Sequence, residues 1–176
     1  MGDVGSFQHI IELISRRRVT ASFVLSVFVL WLANPTPRSL TIGALVATIG
    51  EGIRLWAAGH LEKGREVTAS GPYAFTRHPL YLGSAIIGAG MAVASANLVA
   101  ASVVVVFLAI SLGAAIRTEE AHLTEKFGHQ YPAYRAGHTP MVARRFSLAR
   151  AIRNREYRAV AGLVVVLALL AWKAWH

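Results

Sequence analysis

The chain alternates long apolar stretches with short polar segments, and the apolar stretches predict its architecture. Apolar residues dominate 19–33, 40–61, 80–116 and 159–175. The stretch 80–116 is too long for one crossing at about 1.5 Å per residue, and residues 94–97 offer a break within it. We therefore predict an all-α fold: a polytopic integral membrane bundle of about five transmembrane helices, in a single domain covering residues 1–176.

The composition agrees with a membrane protein and excludes several other classes. Apolar residues make up 55% of the chain and charged residues only 15%, with a mean hydropathy of +0.47. Soluble domains carry about 25% charged residues, so an ordinary soluble enzyme is disfavoured. The chain has no cysteine, which excludes disulfides, zinc-thiolate sites and a thiol nucleophile.

The positive charges predict an orientation. With the N-terminus inside, fifteen of the 18 Lys and Arg residues lie on the inner side, Arg38 and Lys173 lie outside, and Arg54 lies within the second span. The positive-inside rule then makes the inner side cytosolic, as in a multi-pass protein of the cell (inner) membrane. We expect residues 19–33 to remain as an anchor, because Trp31 and Leu32 stand where small residues would mark a cleavage site. The net charge of +9 favours an anionic membrane surface, with no nucleic acid as partner.

Polar residues concentrate in two inner segments, 60–83 and 117–134. In the first, Gly71-Pro72 indicates a turn, and Pro79 suits the first turn of the third span. His78 would then lie at a helix N-terminus, which favours anions. An interfacial turn with snorkelling side chains explains this segment equally well.

The second segment carries paired carboxylates. If the fourth span continues past the lipid, Glu119 and Glu120 stand about one turn beyond it and could bind a cationic ligand. The alternative is that Glu119 and Glu120 are solvated acids that pair with nearby Arg and Lys side chains. Steps of three and four residues predict one helical stripe on this segment. Its members are Glu120, Leu123, Phe127, Tyr131 and Tyr134.

Other candidates for chemistry are weaker. His122 and His129 could share a helix face, but two imidazoles make no closed metal site, so no metal is expected. Glu51 and Arg54 are three residues apart in the second span and can form an intramembrane pair, either functional or holding helices in register. Small residues four apart, such as Gly43 and Ala47, predict close helix packing in lipid.

Both inner segments resemble motifs of a known family. Residues 71–83, GPYAFTRHPLYLG, resemble the GPY-x-x-x-RHP-x-Y-x-G segment of the isoprenylcysteine carboxyl methyltransferase family and its phospholipid methyltransferase relatives. Residues 119–134 resemble that family's second signature, EE-x-x-L-x-x-x-FG-x-x-Y-x-x-Y. This signature core covers residues 60–135, in the family's order and with a helical hairpin between the motifs.

The resemblance implies a methyltransferase that uses S-adenosyl-L-methionine (SAM), held on the cytosolic side by the two signatures. It implies these cofactor-binding residues: Arg65, Glu66, Val67, Thr68, Tyr73, His78, Pro79, Leu80, Tyr81, Glu119 and Glu120. In the family an arginine near the glutamate pair is associated with the substrate's carboxylate, and Arg117 is the corresponding candidate. The basic segment and last span, 144–176, do not map onto the signatures.

The acceptor is expected to be lipidic and to reach the cytosolic interface of the membrane. Nearby cations favour carboxyl O-methylation of an isoprenylcysteine-like or other lipid acid. Three alternatives stay open: N-methylation of an aminophospholipid, a sterol-type membrane reductase that uses NADPH, and a non-catalytic membrane protein. In the last case the basic residues 144–158 would bind anionic lipid or a partner. The sequence does not predict an oligomeric state.

Overall fold

A computed structural model describes residues 24–138 and 144–176. Helix α1 is described over residues 24–32, and a single 3-10 turn lies at Gly71–Ala74. The other helices follow in order: α2 Pro37–Ala58, α3 Pro79–Ala94, α4 Leu98–Phe127, α5 Gln130–Arg135, α6 Leu148–Arg153 and α7 Tyr157–Trp175. The predicted start of the first span and its arginines Arg16, Arg17 and Arg18 lie outside the described residues.

All regular secondary structure in the described part of the chain is helical, which confirms the predicted fold class. Each of the five predicted stretches contains a helix. Three of these, α2, α4 and α7, are long and apolar enough to cross a membrane. Helix α3 has 16 residues, shorter than the roughly 20 that a span ordinarily needs. The number of crossings and their direction therefore stay predictions.

Local sequence fixes where the helices begin. Thr36 and Ser39 form a reciprocal capping box at the start of α2, with side chain to backbone distances of 3.1 and 3.0 Å. Asn97 caps α4 by accepting a hydrogen bond from the Ala100 amide at 3.0 Å. Since α3 ends at Ala94, the predicted break within residues 94–97 is confirmed.

Helices α2 and α3 make the closest contact of the bundle. A Cβ atom added to Gly50 would lie 2.7 Å from the Gly83 carbonyl oxygen, and one added to Gly83 would lie 2.7 Å from the Gly50 carbonyl oxygen. Further along the pair, a Cβ atom on Gly90 would lie 2.6 Å from the Ala47 amide nitrogen. The two backbones touch where side chains are missing, as predicted from the small residues.

Helix α7 packs along α2 and closes the bundle at the end opposite α6. Ala33, Leu40, Ala94 and Leu170 form a buried cluster there. The Lys173 ammonium donates hydrogen bonds to the last carbonyls of α1, at 3.1 and 2.7 Å. A cation at a helix C-terminus satisfies carbonyls that have no partner within the helix.

The basic residues between α5 and α7 fold back over the loop that follows α2. We call residues 144–156 the cap segment. The Ser147 amide donates to the Gly59 carbonyl at 3.1 Å. The Asn154 side-chain amide donates to the carbonyls of Ala58 and Leu61, both at 2.9 Å. The cap segment thus holds the end of α2 in place.

The glycine contact gives a direct test. Gly50→Ala places a methyl group against the backbone of α3, so we expect a loss of about 1–3 kcal/mol of stability, as for other overpacked sites. Gly52→Ala is the matched control, since nothing lies within 4 Å of its Cβ position. There the better helix propensity of alanine should be neutral or stabilising, by up to about 1 kcal/mol. Thermal unfolding of both variants in detergent measures the difference, and equal stabilities would contradict the close contact.

Candidate functional site

A cluster of charged side chains forms where α3 begins, and we call Arg77, His78, Glu120 and Arg135 the polar cluster. The His78 Nε2 atom lies 3.0 Å from Glu120 Oε1. The guanidinium of Arg77 lies 3.7 Å from the same oxygen, and that of Arg135 lies 3.9 Å from Glu120 Oε2. The two sequence segments that carry the signatures therefore meet at one carboxylate.

The local folding of three elements brings the polar cluster together. Pro79 occupies the first turn of α3 and leaves His78 at its N-cap position. Helix α4 runs without interruption past its apolar stretch, which ends at Ile116, so Glu120 emerges beside His78. Gly128 has a φ of +52° and ends α4, which lets the chain turn into α5.

That turn corrects one prediction. The stripe from Glu120 to Tyr134 was expected to lie on one continuous helix, but α4 ends at Phe127 and α5 begins at Gln130. Tyr131 and Tyr134 still reach the polar cluster because α5 folds back toward it. The positive φ at Gly128 breaks the helix, and hydrophobic periodicity alone does not reveal such a break.

Tyrosines pack behind the polar cluster. The Tyr134 hydroxyl donates a hydrogen bond to the Tyr73 carbonyl at 2.6 Å, which ties α5 to the 3-10 turn. The Tyr81 ring lies 5.8 Å from the His78 ring, centroid to centroid. The Tyr131 hydroxyl is buried and has no hydrogen-bond partner among the described residues.

Burial keeps these phenols protonated. It raises the pKa of Tyr131 to about 12, with the negative charge of Glu120 adding to the effect. Burial also raises the pKa of Tyr73 and of Tyr134 above their ordinary values. At neutral pH each hydroxyl is therefore a hydrogen-bond donor, and that of Tyr131 faces the Glu120 carboxylate.

Glu119 and Arg117 lie next to the polar cluster on α4 but outside its ion pairs. Both residues are exposed, and neither forms an ion pair with a described residue. The Glu119 carboxylate faces the Tyr81 hydroxyl. The sequence did not separate the roles of the two glutamates. In the structure Glu120 is enclosed by cations, whereas Glu119 remains open to solvent.

Residues 65–68 contact the cap segment and the loop residue Glu62, and none of them pairs with Glu120. Glu66 forms an ion pair with Arg144 at 2.7 Å. The Thr68 hydroxyl accepts a hydrogen bond from the Glu62 amide at 3.2 Å. Arg65 is exposed and Val67 is half-buried. This group and the polar cluster share the end of the bundle where α2 ends and α3 begins.

Glu62 organises the cap segment. Arg150 binds its carboxylate at 2.7 Å, Arg153 at 3.2 Å and Arg144 at 3.9 Å. The hydrogen bond from Arg150, more than any other contact, holds the pKa of Glu62 below its ordinary value. Three arginines of the basic segment are thus engaged within the protein, a role that charge counting in the sequence did not reveal.

The intramembrane ion pair predicted between Glu51 and Arg54 is present at 3.8 Å, and Arg54 has a second, closer acidic partner. Its Nε atom lies 2.7 Å from Glu156 at the start of α7. The same guanidinium donates to the Ser84 hydroxyl and to the Leu80 carbonyl of α3. Glu156 follows Arg54 by 102 residues, so local spacing could not reveal it.

The fold and site define a helical membrane protein with a polar site at one end of its bundle. The sequence profile of the phospholipid methyltransferase family matches residues 40–130, just over half of the chain, which includes the first signature segment and residues 119–130 of the second. The chain belongs to this family of membrane methyltransferases.

Two curated relatives are similar over most of the chain. The cobalt-zinc-cadmium resistance protein CzcN of Cupriavidus metallidurans is 32% identical over 146 residues, which cover 76% of this chain and 64% of the relative. The nickel-cobalt-cadmium resistance protein NccN of Alcaligenes xylosoxydans xylosoxydans is 32% identical over 113 residues, covering 63% of this chain and 52% of the relative. The chain therefore spans about half to two thirds of these relatives' length.

The remaining comparisons add little. No solved structure matches the chain. Within residues 24–138 and 144–176, no group of three or more His, Cys, Asp or Glu side chains could hold a metal ion.

The Glu62 cluster predicts a pH dependence of the cap segment. Its pKa is lower in the folded protein than its ordinary value of 4.5, so its stabilisation is present above that pH and is lost as the pH falls through the folded pKa. The protection factors of the amides of residues 59–66, which take account of the slower intrinsic exchange in acid, should therefore fall on acidification. Glu62→Gln should exchange faster at neutral pH and respond less to acid. Glu125→Gln, an exposed carboxylate on α4, is the control; an unchanged acid response in Glu62→Gln would refute the assignment.

Proposed function

We propose that this protein is a SAM-dependent methyltransferase, similar to isoprenylcysteine carboxyl methyltransferase, that acts on a lipidic acceptor at the cytosolic membrane interface. One observation carries the proposal: His78 of the first signature contacts Glu120 of the second at 3.0 Å. Family membership supplies the class of reaction. The contact supports the view that both signatures serve one site.

The chemistry of the side chains fits SAM, which presents an ammonium, a carboxylate, a sulfonium and an adenosine. Glu119 is a carboxylate outside any described ion pair, suited to the ammonium or to ribose hydroxyls. Arg77 is half-exposed at the N-terminus of α3 and suits the carboxylate. The Tyr131 hydroxyl, which faces Glu120, provides a buried donor. The ring of Tyr81 offers an aromatic face for the cation or the base.

When bound, SAM would supply an electrophilic methyl group, to which the acceptor nucleophile bonds in line as the methyl–sulfur bond breaks and S-adenosylhomocysteine leaves. Because such a transfer depends mainly on alignment, the chain's contribution is positioning. Glu120 accepts from His78 and fixes the direction of its ring, while Arg77 and Arg135 balance the negative charge. The packed tyrosines exclude water behind the site. Tyr73, Pro79 and Leu80 shape the start of α3, and residues 65–68 border it from the loop.

The two glutamates should differ in SAM binding. Glu119→Gln removes a charge-assisted bond to the cofactor and should weaken affinity by roughly tenfold or more. Glu120→Gln acts through His78 and should weaken affinity less, with the melting temperature reporting any loss of structure. Calorimetry with SAM or its demethylated product on detergent-solubilised protein measures both effects, and Glu125→Gln is the control. If the Glu119→Gln, Glu120→Gln double variant bound SAM as the wild type does, the site would lie elsewhere.

For the acceptor we favour a lipid acid, methylated on its carboxylate. Arg117 and Arg77 are exposed cations beside the site, and a carboxylate nucleophile needs no general base. The matched family is named for phospholipid methyltransferases, and this name favours the alternative acceptor, an aminophospholipid that is methylated on nitrogen. A purely anion-docking role of the basic segment is less favoured, because Arg144, Arg150 and Arg153 are paired within the protein.

A methyl-transfer assay separates these acceptors and tests the orientation. Labelled SAM, which does not cross lipid bilayers, is added to sealed vesicles with a farnesylcysteine analogue or with phosphatidylethanolamine. We expect label in the farnesylcysteine analogue, and only in inverted vesicles, which expose the cytosolic face. Arg117→Gln should raise the KM for this acceptor. Label in the phospholipid alone would reverse the preference, and transfer in right-side-out vesicles would reverse the orientation.

A further inference from the structure

A second site candidate lies inside the helical bundle, away from the polar cluster. Helices α1, α2, α3, α4 and α7 enclose a cavity of about 430 Å³, a size typical of small-molecule pockets. Its wall is mainly apolar and includes Val29, Met91, Phe107, Leu108 and Val166. None of the polar-cluster residues lines this cavity. It is therefore a space that the proposed methyl transfer does not account for.

The cavity contains a carboxyl group that has no hydrogen bond. Glu51 lines it and is 92% buried, with 8% of its surface exposed. Neither of its carboxyl oxygens has a hydrogen-bond partner in the part of the chain that the structure describes. A buried polar group without a partner is costly in an apolar environment and indicates a missing ligand or a functional role.

The neighbouring arginine does not satisfy this carboxyl. Arg54 makes its short contact to Glu156, at 2.7 Å, and its other contacts to Ser84 and Leu80. Its distance to Glu51 is 3.8 Å, with no hydrogen bond. Two carboxyl groups thus share one guanidinium, and neither oxygen of Glu51 receives a hydrogen bond from a described residue. A cationic group that donates hydrogen bonds would complement Glu51.

The shape of the cavity indicates what such a cation would carry. Its charged end lies at Glu51 and Ser84, and its lining continues to Ser95 at the far end of α3. These two serines are eleven positions apart, roughly 16 Å along a helix, the length of an extended chain of on the order of twelve carbons. The wall between them is apolar, so it suits an alkyl chain.

We propose that this cavity binds a single-chain amphiphile with a primary ammonium head, which donates hydrogen bonds to Glu51 while its alkyl chain lies between α3, α4 and α7. The site is separate from the polar cluster, and its occupancy does not depend on SAM. The ammonium donates the hydrogen bonds that the Glu51 oxygens lack, and the chain removes apolar wall from contact with water or disordered lipid.

The test uses photoreactive probes on the full chain in phosphatidylcholine nanodiscs. Three probes share a twelve-carbon chain with a terminal diazirine and differ in their head: amine, carboxylate or alcohol. Labelled residues are mapped by peptide mass spectrometry. We expect the amine to label cavity residues such as Met91 and Phe107, roughly tenfold more than the carboxylate does, because a charge-assisted hydrogen bond selects it.

Variants identify the recognising group. Glu51→Gln should abolish the preference for the amine, whereas Glu125→Gln should retain it. Head-group selectivity in the wild type keeps the test valid if Glu51→Gln fails to fold. Equal labelling by amine and carboxylate would overturn the proposal, as would amine labelling confined to residues 77–81. Labelling that appears only when Arg16, Arg17 and Arg18 are replaced by Gln would also overturn the proposal. It would mean that the chain's own arginines occupy Glu51 in the wild type.

Discussion

The rest of the structure depends on the close contact between the backbones of α2 and α3. Glycines at the crossing bring the two helices together where a single methyl group would collide with a carbonyl oxygen. In lipid, where burial of apolar surface gives little drive for association, such packing is a main source of helix affinity. The contact fixes α3 against α2, and thereby the height at which His78 and the tyrosines of the signature loop stand.

Helix α4 brings the second signature to the start of α3 and so completes the site. It has 30 residues, more than a crossing needs, so its last turns extend beyond the apolar layer and carry Glu120 to the N-terminus of α3. The turn at Gly128 then returns Tyr131 and Tyr134 to the same place. A carboxylate surrounded by two guanidiniums and an imidazole is rigid, which suits a reaction that depends on alignment.

Charges inside the bundle follow a different logic from those at its surface. Arg54 joins α2, α3 and α7 through Glu156, Ser84 and the Leu80 carbonyl, so it links the helix carrying the signature loop to the last helix. Paired charges in an apolar setting are stable only when their hydrogen bonds are satisfied. Glu51 is the exception, because neither of its carboxyl oxygens has a hydrogen-bond partner among the described residues. The apolar cavity that Glu51 lines is where the proposed ammonium head would supply those hydrogen bonds. At the surface, Glu62 instead gathers several arginines of the cap segment.

The sequence by itself determined the helical membrane class, the positions of the five apolar helices and the hairpin break, because these follow from the lengths of the apolar runs and from residues such as Asn97 and Pro79 at the helix starts. It also indicated the two polar segments, whose residue types are distinctive. Only the tertiary structure decided how their members are divided: Glu120 in an ion cluster, Glu119 open, and Arg135 and Tyr131 joining the site. The ion pairs Arg54–Glu156 and Arg150–Glu62 could not be predicted from the sequence either, since their members lie 102 and 88 positions apart. Helix periodicity records which face a residue occupies, but contacts across such separations arise only when whole helices pack.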